Sequence, residues 1–378
     1  ETRRVLVLTP RDGLVTQMID DIGHRFWRTM RLTDLDEGCW DGDGIAPATL
    51  VRLLPNARNA ARLRGAAKSP RCVIVGTLQA LDQLRSQRDL IQQRARAGDV
   101  KEKDAERLSW ISGALEDLAS LDAVIVDEGH YEPAPSWSRS VRSLGLPTLL
   151  MSATPFRNDY KLFSVRGGFA YNLPFQQARA GRIIRDVAFA ALGVSGSAAP
   201  APFDASDDDS ATPSGLAPEE GDAVRAFATR LAAQAATLVA AFPNIPHPKI
   251  IVRAASFEAL QLLQAALDDA SGDQSVLIHE RAGTDAGQPG KSAADLNRFV
   301  SVRDALKKRP EARYWLHQTK LLEGIDEPSF VAVALYDGFS NARQLVQQIG
   351  RAIRSSDATR QEDQTATVLL RDDDALAR

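Results

Sequence analysis

Short, almost uninterrupted apolar runs recur along the chain, and stretches with helical periodicity separate them. Between the first two runs, Leu14, Met18, Ile22 and Phe26 form one apolar stripe with the spacing of a helix. Apolar runs without polar alternation are typical of strands buried on both faces, as in a parallel sheet covered by helices. The pattern therefore predicts an α/β fold of two doubly wound parallel-sheet domains in tandem. The predicted strands lie at residues 5–8, 72–75, 123–126 and 148–151 in the first domain and 249–252, 275–278, 312–316, 331–335 and 366–370 in the second.

A stretch rich in Ala, Pro, Ser, Gly and Asp separates the two halves of the chain. Residues 193–222 lack the apolar positions that a core requires, so we expect a flexible acidic linker or loop there. This division gives a first domain over residues 1–192 and a second over residues 223–378.

Composition narrows the class of protein. The chain is 44% hydrophobic and 25% charged, as in globular proteins. No apolar run approaches the ~18 residues of a membrane span, so no membrane partner is expected. Its two cysteines, Cys39 and Cys72, have no metal-ligand spacing and favour a reducing cytoplasm. Because the net charge is −3, any contact with a polyanion must be local.

Polar or turn residues follow each of the first four apolar runs. In parallel α/β sheets the binding crevice lies at the carboxyl ends of the strands, so these residues are expected to converge. The third run would aim Asp127 and Glu128 into that crevice, with His130 two residues further on. One carboxylate could hold Mg²⁺, and the other could deprotonate an attacking water. An acidic pair that caps the following turn is the alternative.

A second group of polar residues lies near the end of the chain. A helix is predicted to begin there with Ser340 as its N-cap, and Gln347, Gly350, Arg351 and Arg354 would share one side of it. Glycine inside a helix costs about 1 kcal/mol relative to alanine, so its presence beside arginines suggests that another surface approaches closely. Arginine suits the equatorial oxygens of a transferring phosphoryl group. A solvated polar face is the alternative.

Together these residues resemble the motifs of superfamily 2 helicases and translocases. Asp127-Glu128-Gly129-His130 is similar to their Walker B box (DEAD, DEAH or DExH), although Gly129 departs from DEAD and DEAH. The order and spacing fit over residues 5 to about 370, and the set most resembles the prokaryotic branch related to restriction-enzyme translocase subunits. The other matching segments are SAT (152–154), QQIGRAIR with the QxxGRxxR of motif VI (347–354), LLEGIDEP as motif V (321–328), TPRDGLVTQ as motif Ia (9–17) and VGTLQAL as the next nucleic-acid motif (75–81).

The resemblance implies two RecA-like domains and roles for individual residues. Asp127 would coordinate Mg²⁺, and Glu128 would activate the water that attacks the γ-phosphate of ATP. His130 and Gln347 would couple hydrolysis to domain closure, while Arg351 and Arg354 would reach the phosphates. The remaining implied positions are Ser152 and Thr154, which would link the ATP site to the nucleic-acid track, Pro10, Arg11, Thr77 and Gln79 near the sugar-phosphate backbone, and Gly324 and Asp326 at the cleft near nucleotide and nucleic acid.

The implied function is an ATP-dependent helicase or translocase core, with ATP and Mg²⁺ as cofactors and DNA favoured over RNA. A prokaryotic cytoplasmic location and a nuclease or methyltransferase subunit or domain as partner are also implied. Two alternatives stay open. One is a nucleic-acid binding module without ATP hydrolysis. The other is a non-motor ATPase, which nucleic acid would not stimulate and which gives no reason for motifs Ia and V.

The phosphate-binding loop of motif I, GxxxxGK[ST], is missing from its expected place upstream of TPRDGLVTQ. The chain begins at Glu1, four residues before the first apolar run. The only Gly-Lys-Ser, at residues 290–292, has Asp285 where the first glycine is required, so we reject it. We interpret the first domain as lacking its N-terminal strand and phosphate loop through truncation; a degenerate motor is the alternative. Because that loop supplies much of the phosphate binding, we expect negligible ATPase activity from these 378 residues alone and nucleic-acid-dependent hydrolysis from an extended product.

Overall fold

The chain folds into two compact units, Glu1–Arg166 and Gly167–Arg378, each built around one sheet. Within the part of the chain that is described, every strand pair in both sheets is parallel, and helices connect the strands. The predicted α/β class with two parallel sheets in tandem is confirmed. The computed structural model describes residues 3–25, 49–99, 101–131, 134–154, 171–194, 218–283, 295–321, 327–339, 342–355 and 364–372.

The strands of the first unit are β1 (Arg4–Thr9), β2 (Thr49–Arg52), β3 (Cys72–Thr77), β4 (Ala123–Val126) and β5 (Thr148–Leu150). They form a sheet in the order β2-β3-β1-β4-β5. The helices are α1 (Asp12–Asp20), followed by a π-helical turn (Asp21–Arg25), α2 (Ala57–Ala67), α3 (Leu78–Arg96), α4 (Asp104–Ala119), a 3-10 turn (Gly129–Tyr131) and α5 (Pro135–Arg142).

Both faces of the first sheet are covered, which explains its uninterrupted apolar strands. Leu6 and Leu8 of β1 belong to the larger core, together with residues of α2, α3 and α4. Val7 faces the other side and packs in a smaller cluster with Val15 of α1. A strand buried on both faces has no position at which a polar residue would be favoured.

The strands of the second unit are β6 (Asp186–Ala191), β7 (Lys249–Arg253), β8 (Val276–Ile278), β9 (Arg298–Phe299), β10 (Tyr314–His317), β11 (Phe330–Leu335) and β12 (Thr365–Leu370). Their order in the sheet is β6-β12-β11-β7-β10-β8-β9. The helices are α6 (Phe175–Ala180), α7 (Pro218–Ala240), α8 (Phe257–Ser271), α9 (Val302–Lys308) and α10 (Ala342–Ala352), with 3-10 turns at Glu280–Gly283 and Asp295–Asn297. None of the helices in the described ranges is long and apolar enough to cross a membrane.

The division between the units lies earlier than the predicted boundary between residues 1–192 and 223–378. β6 pairs along its whole length with β12, so it belongs to the second sheet. Both ends of the predicted linker also belong to the second unit, because the amide of Val194 donates to the carbonyl of Arg371 at 2.7 Å and α7 begins at Pro218. The interior of that stretch, residues 195–217, lies outside the described residues.

Candidate functional site

The carboxyl ends of three strands of the first sheet lie side by side. Thr9, the last residue of β1, pairs with Thr77, the last residue of β3. On its other side β1 pairs with β4, where Leu8 is opposite Val126. The polar residues that follow these strands therefore meet at one edge of the sheet. This is the edge at which parallel α/β proteins place their ligands.

Glu128 adopts a left-handed backbone conformation immediately after β4. Its φ angle is 52°, a conformation that costs a residue with a Cβ atom roughly 1–2 kcal/mol. The turn brings the amide of Gly129 to 2.7 Å from the carbonyl oxygen of Met151. A Cβ atom on Gly129 would lie only 2.8 Å from the Cβ atom of Leu150 in β5. The glycine that departs from the DEAD and DEAH boxes is therefore required by the close packing of this turn on β5.

The imidazole of His130 lies between Glu128 and the segment that follows β5. His130 is fully buried, and its Nδ1 atom is 3.2 Å from Glu128 Oε2 and 3.1 Å from Ser152 Oγ. Ser152 Oγ also accepts a hydrogen bond from the amide of Thr154 at 3.1 Å. Glu128 is thereby held against the next strand, and the structure brings four of the predicted site residues into one cluster.

Asp127 fits a magnesium ion that is bound together with a nucleotide. Its amide donates to the carbonyl of Leu8 at 2.8 Å, and its half-buried side chain stands at the carboxyl edge. The described residues contain no group of three or more His, Cys, Asp or Glu side chains that could hold a metal ion by themselves. In phosphoryl-transfer sites Mg²⁺ commonly takes only one or two carboxylates, with phosphate and water oxygens completing its shell. A single carboxylate at this edge is compatible with such an ion, and binding of Mg²⁺ by Asp127 stays a prediction.

The four residues predicted to lie near nucleic acid stand at the starts of two helices on this edge. Pro10 and Arg11 immediately precede α1, and Gln79 is exposed in the first turn of α3. The hydroxyl of Thr77 accepts from the amide of Ala80 at 3.0 Å, so Thr77 is the N-cap of α3. Helix N-termini carry partial positive charge and favour anions. The arrangement is suited to phosphate groups, although the Thr77 hydroxyl is already used by the helix.

In the second unit, much of the polar side of α10 is buried. Arg351 is 7% exposed and Gln348 is fully buried, whereas the apolar side chain of Val346 is 43% exposed. A purely solvated polar face is therefore wrong for this helix. Gln347 and Arg354 are half-buried. Among described atoms, nothing lies within 4 Å of the position that a Cβ on Gly350 would take, and the close approach expected at this glycine stays a prediction.

Two polar residues end neighbouring strands of the second sheet. Arg253 closes β7, donates to the carbonyl of Asp337 at 2.9 Å and lies over the ring of Phe339 at 4.4 Å. His317 closes β10, and its Nδ1 accepts from the amide of Leu321 at 3.3 Å. Burial, aided by nearby Arg253, lowers the pKa of His317 to about 3, and burial also lowers the pKa of Arg253 to about 10. The imidazole is therefore neutral near pH 7, and Arg253 carries the positive charge.

The sequence reasoning assigned no role to His317 or Gln348. Both are fully buried, Gln348 neighbours the imidazole, and Arg351 is near enough to lower the pKa of His317 further. The sequence pattern does indicate His317, because this polar residue ends an apolar run, as polar residues do after the runs of the first unit. Gln348 was not singled out because it follows another glutamine and lies outside the predicted polar side of the helix.

Some of the predicted residues lie outside the described part of the chain. These are Gly324, Asp326, Ser340 and the rejected Gly-Lys-Ser at residues 290–292. The remaining site residues form two groups, one in each unit. That a nucleotide would join the two groups stays a prediction.

Comparisons with known proteins bear on the fold. No protein-family model matches the chain, and no curated protein matches it in sequence. A solved structure of the Mycobacterium smegmatis helicase Lhr bound to ssDNA and AMP-PNP aligns with a TM-score of 0.51 at 16% identity, covering 98% of this chain and 40% of that one. The ATP-dependent Type ISP restriction-modification enzyme LlaBIII bound to DNA aligns with a TM-score of 0.50 at 15% identity, covering 98% of this chain and 24% of that one.

The chain thus spans less than half the length of either of these proteins. At such low identity the likeness concerns the fold, and it extends over nearly the whole of this chain. The aligned part of this chain comprises both of its parallel sheets. The chain therefore has a tandem RecA-like α/β fold, which it shares with these two solved structures.

Proposed function

We propose that this chain is the motor core of a nucleic-acid-dependent ATPase, a helicase or translocase that acts on DNA. The observation that carries the proposal is the left-handed Glu128, held by His130 and Ser152 at the carboxyl edge of the first sheet. Backbone strain at a non-glycine residue persists only where the surrounding structure enforces it, and such strain is concentrated at functional sites. An acidic pair that only capped a turn would not need this rigid support.

The roles of the charged residues follow from their chemistry. Bound Mg²⁺–ATP would supply the phosphoryl group for transfer to water. Asp127 would hold the metal, and Glu128 would orient the attacking water and accept its proton. Arg351 and Arg354 would stabilise the charge that develops on the phosphoryl oxygens, because the guanidinium group is always protonated and matches phosphate geometry.

Nucleic acid would bind along the carboxyl edge of the first sheet. The N-termini of α1 and α3 present backbone amides there, which suit the repeating phosphates of a strand and carry no base preference. We propose DNA as the nucleic acid because the Lhr and LlaBIII structures of the same fold are bound to DNA. A prokaryotic cytoplasmic protein with a nuclease or methyltransferase partner belongs to the same proposal, by analogy with the restriction-modification enzyme.

The test is ATP hydrolysis by the full gene product, with and without single-stranded DNA. DNA is expected to stimulate turnover, and Glu128→Gln is expected to reduce it by about 100-fold or more, since general-base catalysis supplies that much. Binding of a non-hydrolysable ATP analogue should persist, because the substitution leaves Asp127 in place. Glu116→Gln, the same chemical change at an exposed position of α4, is the control and should have no effect.

Two outcomes would favour the other candidate functions. Hydrolysis without stimulation by DNA or RNA would indicate a non-motor ATPase. Binding of DNA with no hydrolysis by the gene product would indicate a nucleic-acid binding module. Either result would overturn the proposed motor.

A further inference from the structure

A buried arginine outside the predicted motifs holds the C-terminal end of α10. Arg185, immediately before β6, is only 3% exposed. Its Nη1 atom donates to the carbonyl of Ala352, the last residue of α10, and to that of Phe330 at the start of β11, both at 2.9 Å. Its Nη2 atom donates to Pro328 O at 2.9 Å, and its Nε atom donates to Gln364 Oε1 at 3.0 Å. One guanidinium group therefore ties the helix end to the starts of β11 and β12.

The backbone around Arg185 reinforces this attachment. The amide of Arg185 donates to the carbonyl of Ile353 at 2.7 Å, and Ile184 forms an antiparallel bridge with Arg354. The ring of Phe242 packs 5.0 Å from the guanidinium carbon. The two residues that follow α10 are thus paired with the two residues that precede β6.

The carbonyl groups at the end of a helix need hydrogen-bond donors, but burying an arginine to provide them costs free energy of desolvation. The last four carbonyls of a helix lack partners within the helix, and a positive charge near them is favourable. A glycine cap commonly satisfies these carbonyls without burying a charge. Arg185 must instead lose its hydration, which is tolerable because each of its three guanidinium nitrogens finds at least one acceptor. What the arginine adds over a simple cap is a fixed position of the helix end relative to the sheet.

We propose that Arg185 is a positioning residue for the two motif VI arginines, which flank its contact at Ala352. By fixing the end of α10, Arg185 sets where the guanidinium groups of Arg351 and Arg354 can reach. The role assigned to Arg185 rests on the proposed function, because those arginines act on a phosphoryl group only if the chain is an ATPase. Small errors in the position of such groups lower the rate of phosphoryl transfer strongly, because positioning supplies much of the catalysis.

Lys249 provides a matched control in the same sheet. It is a buried cation at the start of β7, only 4% exposed. Its Nζ atom donates to Ser329 Oγ at 2.8 Å and to the carbonyl of His247 at 3.2 Å. Lys249 therefore contacts the same segment before β11 that Arg185 contacts, and these two bonds do not involve α10.

The experiment compares Arg185→Met, Arg185→Lys and Lys249→Met with the unaltered gene product. Backbone hydrogen exchange over residues 349–355 reports the helix end, and DNA-stimulated ATP hydrolysis reports catalysis. Arg185→Met is expected to accelerate exchange in this segment and to lower kcat by about 10- to 100-fold, with the half-saturating DNA concentration unchanged. Arg185→Lys should restore part of kcat because one or two of the carbonyls keep a donor. Lys249→Met should lower the melting temperature while leaving both readouts near those of the unaltered protein.

The inference is overturned if Arg185→Met and Lys249→Met give the same exchange over residues 349–355, or if they lower kcat equally. Either result would mean that Arg185 contributes only to the general stability of the fold. Should the unaltered gene product show no DNA-stimulated hydrolysis, the proposed function fails instead. The exchange comparison then decides by itself whether Arg185 fixes the end of α10.

Discussion

Gly129 and Gly350 stand in two of the predicted motifs and are used differently. At Gly129 a Cβ atom would collide with Leu150 on the neighbouring strand. At Gly350 the described part of the structure leaves open space. The sequence singled out Gly350 for close approach and gave Gly129 no structural reason. The constraint on Gly129 is not visible in the sequence, because the contact comes from β5, about 20 residues further along the chain. The register of that strand is set by the sheet.

The substitution Gly129→Ala tests whether packing on β5 constrains the turn after β4. The added methyl group must displace Leu150 or the backbone of β5, so we expect a loss of about 1–3 kcal/mol in the free energy of unfolding. Urea denaturation measures this loss. Gly65→Ala in α2, where no described atom lies within 4 Å of the new methyl group, should instead be neutral or stabilising by up to about 1 kcal/mol. Equal stability of Gly129→Ala and the unaltered protein would show that the packing on β5 does not constrain this position.

At the scale of elements, the apolar runs were a good guide to strands with two buried faces. All nine predicted runs coincide with strands in whole or in large part, from β1 (Arg4–Thr9) to β12 (Thr365–Leu370). β2, β6 and β9 were not predicted. β6 is an edge strand with small alanines and an exposed Phe189, and β9 has only two residues, so neither gives a continuous apolar signal. The three strands lie at the edges of their sheets, a position that the sequence does not show, and this explains the omissions.

An ion pair at the amino edge of the first sheet joins two of these strands. Asp122, just before β4, accepts from Arg4 Nη2 at 2.8 Å and from the amides of Arg3 and Arg4 at 2.9 Å. The hydrogen bond from the Arg4 side chain, followed by those from the two amides, holds the pKa of the Asp122 carboxyl well below its usual range. A carboxyl group with a lowered pKa in the folded state stabilises the fold fully above its unfolded pKa of about 3.9. This stabilisation declines below that pH and is lost as the pH falls through the lower folded pKa.

We therefore expect Asp122→Asn to lower the melting temperature at pH 7 and the difference from the unaltered protein to shrink as the pH falls below about 4. Thermal unfolding at pH 7, 5 and 3 measures the effect. Asp99→Asn, at an exposed position after α3, is the control and should follow the unaltered protein throughout. A difference in melting temperature that stays constant from pH 7 to pH 3 would mean that the charge of Asp122 does not stabilise the fold.

At the scale of the whole molecule, the two groups of site residues come from separate units. The strand-end rule was sufficient to place Asp127, Glu128 and Ser152 together, because a parallel sheet aligns the ends of its strands. No comparable rule revealed Arg185, since three of its partners are backbone carbonyls that lie more than 140 residues away and carry no side-chain signature. Packing of this kind is visible only in three dimensions.

The proposed function requires that Glu128 in one unit and Arg351 in the other act on the same ATP molecule, which stays a prediction. The most direct measurement is kcat for DNA-stimulated ATP hydrolysis by the gene product, compared among Glu128→Gln, Arg351→Lys and the double variant. Residues that act as one catalytic unit have strongly non-additive effects, so we expect the double variant to be no slower than the slower single variant. Losses that multiply in the double variant, or full DNA-stimulated activity in Arg351→Lys, would contradict it.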